Sequence, residues 1–287
     1  MLPVLEVAAD EAGFCACPSA ATTAPTRTMA PAIMNRCCIM PPRRVIYHFT
    51  RMPSRSNTRH LILFDIDGTL VLTGGAGLRA MNRACEDVVG HGKALDGIPV
   101  AGRTDWSILE DVMRLHDRPL DAGLFEDLRV RYVMHLRDEI ERPGTGAKAV
   151  MPGIRELLDA LQERSDVALG LLTGNFLDGA RIKLEHFDLW RYFRCGAFGD
   201  DSSDRNTLVP VAIARARACG IGDMDPADVI VVGDTPHDIA CAVAVGAMPI
   251  GVATGSYSVD RLRESGGTIV FSDLSDTDAF MKLLDAR

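Results

Sequence analysis

The chain has 287 residues, of which 47% are hydrophobic and 24% charged, and its formal net charge is −8. This composition is typical of a globular protein with one large or two small domains. The acidic balance argues against a general nucleic-acid-binding protein, which needs a basic surface, and no apolar run approaches the roughly 20 residues of a membrane span. The eight cysteines show no disulfide spacing, so we expect a reducing, cytoplasmic location.

Residues 1–59 differ in composition from the rest of the chain. They contain seven of the fifteen prolines and half of the cysteines, and no acidic residue lies between Glu11 and Asp65. We predict a disordered N-terminal extension, or a non-native one if translation starts later, for example at Met52. An organelle transit peptide and a cysteine metal site are alternatives, which the prolines and the lack of zinc-ligand spacing argue against.

Short apolar runs alternate with longer amphipathic stretches from His60 onward. The runs predict strands over 61–64, 167–172, 195–198, 229–232, 247–252 and 268–271. The amphipathic stretches predict helices over 176–187, 207–219, 236–245, 258–265 and 276–285. Strands that alternate with helices indicate βαβ units, so the predicted fold class is α/β with a doubly wound parallel sheet.

One long interval interrupts this alternation. About one hundred residues without a clear strand separate the first two predicted strands, far more than a crossover needs. Helical patterns occur within the interval at about 76–90, 105–117 and 121–141. We therefore predict a helical cap over 75–149, inserted after strand one into a core formed by 60–74 and 150–287.

Polar residues follow several of the predicted strands. Ligands of a doubly wound sheet bind outside the carboxyl ends of its strands, so these residues are expected to converge: Asp65 and Asp67, Thr173 to Asn175, Arg205, and Asp234 to Asp238. Clustered carboxylates repel one another, and a divalent cation such as Mg²⁺ would offset that repulsion while binding a phosphate. A carboxylate in such a site can attack phosphorus.

Three of these segments resemble a known family. "DIDGT" at 65–69, "LLTGN" at 171–175 and "VVGDTPHD" at 231–238 are similar to motifs one, two and four of the haloacid dehalogenase superfamily. The resemblance covers roughly 61–275, and the position of the insert is similar to the helical C1 cap of the phosphoglycolate phosphatase-like branch. It implies a Rossmann-like core and a Mg²⁺-dependent phosphatase that acts on a small phosphorylated metabolite through an aspartyl-phosphate.

The resemblance also implies roles for individual residues. Asp65 would be the nucleophile and a Mg²⁺ ligand, and Asp67 would serve as general acid and base while its main-chain carbonyl binds the metal. Asp234 would complete the protein ligands, and Asp238 would orient metal-bound water. The phosphoryl oxygens would be bound by the Thr173 hydroxyl and by N–H groups near Gly68, Gly174 and Asn175.

The chain departs from the family at the third motif, which usually holds a lysine. Residues 198–210 contain no lysine, and their one cation is Arg205. We predict that Arg205 supplies the missing positive charge beside Asp65. Lys183 is the alternative, but it lies two turns into the helix after Thr173, so we expect its ammonium to project away from the strand ends.

The stretch "AGRTDW" at 101–106 is the most suggestive part of the predicted cap. Thr104 or Asp105 could cap the following helix. Alternatively, Gly102 and Arg103 form a loop over the active site, where Arg103 grips an anionic group of the substrate.

Other functions use related sites. A sugar-phosphate mutase similar to β-phosphoglucomutase shares the two aspartates of the first motif. A haloacid dehalogenase and a non-catalytic phosphate-binding module have no need of an acid at Asp67, which argues against both. Neither a particular substrate nor an oligomeric state is indicated.

Overall fold

The computed structural model describes residues 58–287, so nearly all of the predicted extension over 1–59 lies outside the described residues. The strands are β1 (His60–Phe64), β2 (Val71–Thr73), β3 (Lys148–Val150), β4 (Val167–Leu172), β5 (Cys195–Ala197), β6 (Val229–Gly233), β7 (Met248–Val252) and β8 (Ile269–Phe271). The helices are α1 (Ala76–Val89), α2 (Asp105–Leu115), α3 (Ala122–Glu139), α4 (Ile154–Glu163), α5 (Leu177–His186), α6 (Leu208–Ala218), α7 (Pro236–Val243), α8 (Val259–Glu264) and α9 (Thr277–Asp285).

Six strands form one parallel sheet in the order β5-β4-β1-β6-β7-β8. The first strand lies inside the sheet, with Phe64 paired to Leu171 on one side and to Val232 on the other. The order turns outward in both directions from β1, as in a doubly wound fold. The predicted fold class is therefore confirmed.

Helices cover both faces of this sheet, which explains why β1 is apolar at every position. Ile62 and Phe64 pack into a core with side chains of α4, α5 and α9. Leu61 and Leu63 point to the opposite face and pack with α6 and α7. Burial on both faces leaves the carboxyl edge of the sheet as the place where polar side chains can collect.

Helices α1 to α3 lie within residues 75–149, called the helical insert below, close to the positions predicted for them. An antiparallel pair, β2 and β3, brackets the insert and brings its two ends together, with Val71 opposite Val150. This pair was not predicted, because three residues per strand are too few to show a period. Within 58–287, no helix has the length and apolar character needed to cross a bilayer.

Candidate active site

The chain turns sharply just after β1, and the turn carries the first two candidate acids. Asp65 continues the strand by donating its N–H to the Val232 carbonyl at 2.9 Å, and its side chain is buried. Asp67 is 44% exposed. Gly68 completes the turn at φ 87°, and a Cβ there would lie 2.5 Å from Asp234 Oδ2. Glycine at 68 therefore brings the first and fourth predicted motifs into contact.

Three buried carboxylates meet at the carboxyl ends of β1 and β6. One oxygen from each of Asp65, Asp234 and Asp238 lies within 4.8 Å of the others; we call these three residues the acid cluster. Burial raises the pKa of Asp65 to about 7 and, together with repulsion from Asp65, that of Asp234 to about 8. Grouped carboxylate oxygens suit a hard divalent cation such as Mg²⁺, so the residues present fit the predicted metal.

Arg205 supplies a positive charge to the acid cluster. Its Nη2 lies 2.9 Å from Asp65 Oδ1 and also contacts Asp238 Oδ1. Burial opposes the charged form, but Asp238 and Asp65 raise the pKa of Arg205 above its ordinary value. One guanidinium carries a single positive charge, so it cannot balance all three carboxylates once they ionise, and a further cation would supply the missing charge.

Asp238 is the most firmly held member of the acid cluster. Its Oδ2 accepts hydrogen bonds from the Thr235 N–H at 3.0 Å and the Thr235 hydroxyl at 2.7 Å, while Arg205 contacts Oδ1. The Thr235 bonds form a capping box at the start of α7,. Both oxygens are thus engaged by protein donors, which suits the predicted indirect role better than direct binding of a metal.

The loop after β4 brings Thr173, Gly174 and Asn175 to the same edge. Asn175 donates through Nδ2 to Thr173 Oγ1 at 2.8 Å and to Asp67 Oδ2 at 2.8 Å. The Asn175 N–H donates to Thr173 Oγ1, and the Gly68 N–H to the Val71 carbonyl. These two N–H groups, predicted to bind phosphoryl oxygens, are therefore already engaged; that of Gly174 has no partner within residues 58–287.

The prediction that the Lys183 ammonium projects away from the strand ends is wrong. Its side chain is only 5% exposed, and Nζ lies 2.6 Å from Asp67 Oδ2 and 2.6 Å from Asn175 Oδ1. The reason is geometric: side chains on an α-helix lean back toward its N-terminus. The long lysine stem therefore spans the rise from its position in α5 back to the strand ends.

A family model described as haloacid dehalogenase-like hydrolase matches residues 62–252. The chain belongs to this family. Among its relatives, a probable phosphatase, IndB, from Dickeya dadantii is 26% identical over 223 residues, 75% of this chain and 90% of that protein. A phosphoglycolate phosphatase from Agrobacterium fabrum is 25% identical over 228 residues, 79% of this chain and 94% of that protein. A hydrolase from Pseudomonas syringae has a similar crystal structure, with a TM-score of 0.56 at 22% identity over 80% of this chain and 99% of its own.

These matches confirm two predictions. The family is the one that the three motifs indicated, on its phosphoglycolate phosphatase-like branch. The enzyme class is a phosphatase, as the names of both relatives state.

In this haloacid dehalogenase-like hydrolase, residues 102–105 of the helical insert lie against Arg205 and the loop after β4; we call them the insert loop. Arg205 Nη1 donates to the Gly102 carbonyl at 3.1 Å, and the Asp105 N–H donates to the Gly174 carbonyl at 2.7 Å. A Cβ at Gly174 would collide with the Arg103 carbonyl. The close approach of the two loops therefore requires glycine at 174.

Thr104 and Asp105 both form hydrogen bonds between the insert loop and the core, a contact that we call the joint. Thr104 caps α2 by accepting the Ser107 N–H at 3.1 Å, as one interpretation of the sequence predicted, and it donates to the Ser203 carbonyl at 3.0 Å. Asp105 Oδ2 accepts the Phe176 N–H at 2.9 Å. Burial raises the pKa of Asp105 to about 7. The insert loop is therefore tied to the core by polar contacts as well as by packing.

The guanidinium of Arg103 is engaged within the helical insert. It lies 2.6 Å from Asp111 Oδ2 and donates to the carbonyls of Pro99 at 3.2 Å and Ser107 at 3.0 Å. These partners all lie on or beside α2. The predicted grip of Arg103 on a substrate anion stays a prediction.

Sequence analysis assigned no role to two residues that help to hold the acid cluster in place. Thr69 is fully buried and donates to Asp234 Oδ1 at 3.2 Å. Thr254, after β7, donates to the Gly68 carbonyl at 2.6 Å. The threonine at the end of "DIDGT" was a visible signal for the first of them; Thr254 lies in no quoted motif, so only the fold reveals it.

Proposed function

We propose that the chain is a Mg²⁺-dependent phosphomonoesterase that acts on a small phosphorylated metabolite through an aspartyl-phosphate on Asp65. One observation carries the proposal: a buried carboxylate at the end of the central strand lies among two further acids, with a guanidinium on one of its oxygens. A carboxylate there can act as a nucleophile, and the arginine offsets the repulsion between it and an incoming phosphoryl group.

Asp65 and Asp234 are the side chains that would hold Mg²⁺, with the main-chain carbonyl of Asp67 as a third protein ligand. Asp238, fixed by Thr235 and Arg205, would orient water around the ion. When bound, Mg²⁺ supplies charge neutralisation for the carboxylates and for the phosphoryl oxygens.

The reaction then proceeds in two transfers. Asp65 attacks phosphorus, the bond from phosphorus to the leaving oxygen breaks, and Asp67 gives that oxygen a proton. Water next attacks the phosphorus of the aspartyl-phosphate, Asp67 takes its proton, and the bond to Asp65 breaks to release phosphate. Arg205 and the Thr173 hydroxyl would stabilise the phosphoryl oxygens in both steps.

The insert loop argues for a small substrate, because its Gly102 carbonyl lies 3.1 Å from Nη1 of Arg205, the residue that contacts Asp65 and Asp238 of the acid cluster. The relative from Agrobacterium fabrum is named a phosphoglycolate phosphatase, which makes phosphoglycolate the first compound to test. Among residues 58–287, no contact favours the mutase alternative over the phosphatase. The cytoplasmic location stays a prediction.

The test is a screen of phosphorylated metabolites for phosphate release, with Mg²⁺ and with EDTA. Release should depend on Mg²⁺, and Asp65→Asn should lower turnover by about 10³-fold or more, because no other group can form the aspartyl-phosphate. Asp278→Asn, at an exposed position of α9, is the matched control and should be silent. Near-normal turnover of Asp65→Asn would contradict the mechanism, and conversion of a sugar phosphate to its isomer without phosphate release would identify a mutase.

A further inference from the structure

Lys183 is a buried cation that the mechanism above does not use. Its ammonium is enclosed at the meeting of the core and the helical insert: Nζ would lie 3.2 Å from a Cβ at Gly77 in α1. An unpaired ammonium in such a place is costly. Its two hydrogen-bond acceptors, on Asp67 and Asn175, are both parts of the candidate active site.

The contacts of Lys183 fall on one oxygen of Asp67. Oδ2 accepts from Lys183 Nζ at 2.6 Å and from Asn175 Nδ2 at 2.8 Å, whereas Oδ1 has no hydrogen-bond partner within residues 58–287. Lys183 also holds Asn175 through Oδ1 at 2.6 Å. The carboxylate is therefore fixed by two donors that are themselves linked, and its two oxygens are inequivalent.

We propose that Lys183 is a positioning residue that fixes Asp67 Oδ2, so that Oδ1 is the oxygen that exchanges protons during catalysis. The proposal rests on the proposed function. In the first transfer, the proton on Oδ1 moves to the leaving oxygen as its bond to phosphorus breaks. In the second, Oδ1 takes a proton from the attacking water, which restores the acid for the next turnover.

Fixing one oxygen matters because proton transfer needs the donor within hydrogen-bond reach of the reacting atom. Asp67 is nearly half exposed, so without a partner its side chain could rotate toward solvent. Gly77 leaves room for this arrangement, since a Cβ at 77 would lie 3.2 Å from Nζ and 3.4 Å from Cε of Lys183, which would then have to shift slightly. The helical insert thus participates in placing an acid of the core.

The test compares two substrates that differ in their need for a proton. The nitrophenolate of p-nitrophenyl phosphate can leave as an anion without receiving a proton. The alkoxide of phosphoglycolate is far more basic, so its oxygen needs a proton as it leaves. First-turnover release of each alcohol is measured by rapid mixing for wild type and for Lys183→Met. We expect the variant to lose about tenfold or more on phosphoglycolate, a part of the 10²–10⁴-fold that general acids contribute, with KM little changed and with nearly normal release of nitrophenolate.

Two further variants make the result decisive. Gly77→Ala should shift the same ratio between substrates in the same direction by a smaller factor, and it tests the proposal even if Lys183→Met fails to fold, because alanine favours the helix. Lys282→Met replaces an exposed lysine of α9 and should change neither substrate.

Equal losses on both substrates, or no loss on phosphoglycolate, would overturn the role of Lys183 while leaving the phosphatase intact. If another compound of the metabolite screen is the better alkyl phosphate substrate, it takes the place of phosphoglycolate. A wild-type chain that releases no phosphate from any compound of the screen in the presence of Mg²⁺ would instead overturn the proposed function, and this inference with it. The wild-type measurement therefore separates the two failures.

Discussion

Arg205 is a buried guanidinium with one nitrogen, Nη2, in contact with two carboxylates. Removing one partner of such a group leaves buried charge unpaired, which costs about 3–5 kcal/mol. At this position the same atoms would also face the phosphoryl group. Stability and catalysis therefore both depend on Arg205, and they can be separated by substitution.

Arg205→Ala should lower turnover by roughly a hundredfold or more, the scale of a lost charged contact in the transition state. Arg205→Lys should restore part of the loss, because a point charge replaces the charge but not the planar fork. Phosphate release measures both effects. Arg215→Ala removes an arginine that pairs with Asp201, outside the acid cluster, and controls for the loss of a partly buried cation; an equal fall in its turnover would contradict a specific role for Arg205.

The sequence could predict the residues whose place follows directly from a strand end. Asp65, Thr173 and Asp234 lie within one residue of β1, β4 and β6, so the carboxyl edge of a parallel sheet brings them together. This reasoning could not predict the contacts of Lys183 or of the Asn175 side chain. Their partners depend on how far a side chain reaches and on which helix packs above it, and no local pattern encodes either.

At the scale of elements, the insert loop and the loop after β4 share a buried carboxyl group. Asp105 is the first residue of α2 and accepts the N–H that precedes α5. Burial raises the pKa of Asp105 to about 7. At neutral pH the carboxyl group that links the two loops is therefore close to half ionised. The strength of this joint should therefore vary with pH.

An acid with a raised pKa in the folded state contributes stability that is complete below its unfolded pKa and is lost as pH rises through the folded value. Asp105→Asn keeps an acceptor for Phe176 but cannot ionise. At about pH 8 the variant should exceed wild type in free energy of unfolding by about 4 kcal/mol, because a pKa of about 7 in place of the ordinary 3.8 costs about 1.4 kcal/mol for each pH unit of the difference,. This advantage should shrink to about 2 kcal/mol at pH 5. Denaturant titrations at both pH values measure it, with exposed Asp96→Asn as control; a difference independent of pH would contradict the assignment.

The strands and helices of the core were predictable because burial on both faces makes each strand a continuous apolar run. Val167–Leu172 is one such run, and all six of its residues are buried. The strand Lys148–Val150 is partly exposed over three residues. Nothing in it distinguishes a strand from a loop until its partner Val71–Thr73 is known.

For the stability of the whole molecule, the repulsion between the carboxylates of the acid cluster is unfavourable, and a bound cation would relieve it. Ligands that bind only the folded state stabilise it by mass action. At a Mg²⁺ concentration about 100 times the dissociation constant the gain is about 2.7 kcal/mol, which corresponds to a rise of roughly 5–10 °C in Tm for a chain of this size.

Thermal unfolding with Mg²⁺ and with EDTA should show this rise. It should be smaller at about pH 6 than at pH 8, because burial raises the pKa values of Asp65 and Asp234 and protons then compete with the metal. Asp234→Asn should abolish most of the response, whereas Asp278→Asn should keep it. An equal rise in Asp234→Asn would mean that Mg²⁺ binds elsewhere.

The insert loop is joined to the core by four hydrogen bonds, made by Arg205, Thr104, the Asp105 N–H and the Asp105 carboxyl group. At about 1 kcal/mol each, they leave the separated arrangement to on the order of one molecule in a thousand. A substrate that must pass between these surfaces finds them apart in only about one molecule in a thousand, so its association rate constant falls about a thousandfold below that of an open site. A weaker contact between insert loop and core would therefore capture substrate faster while excluding water less well.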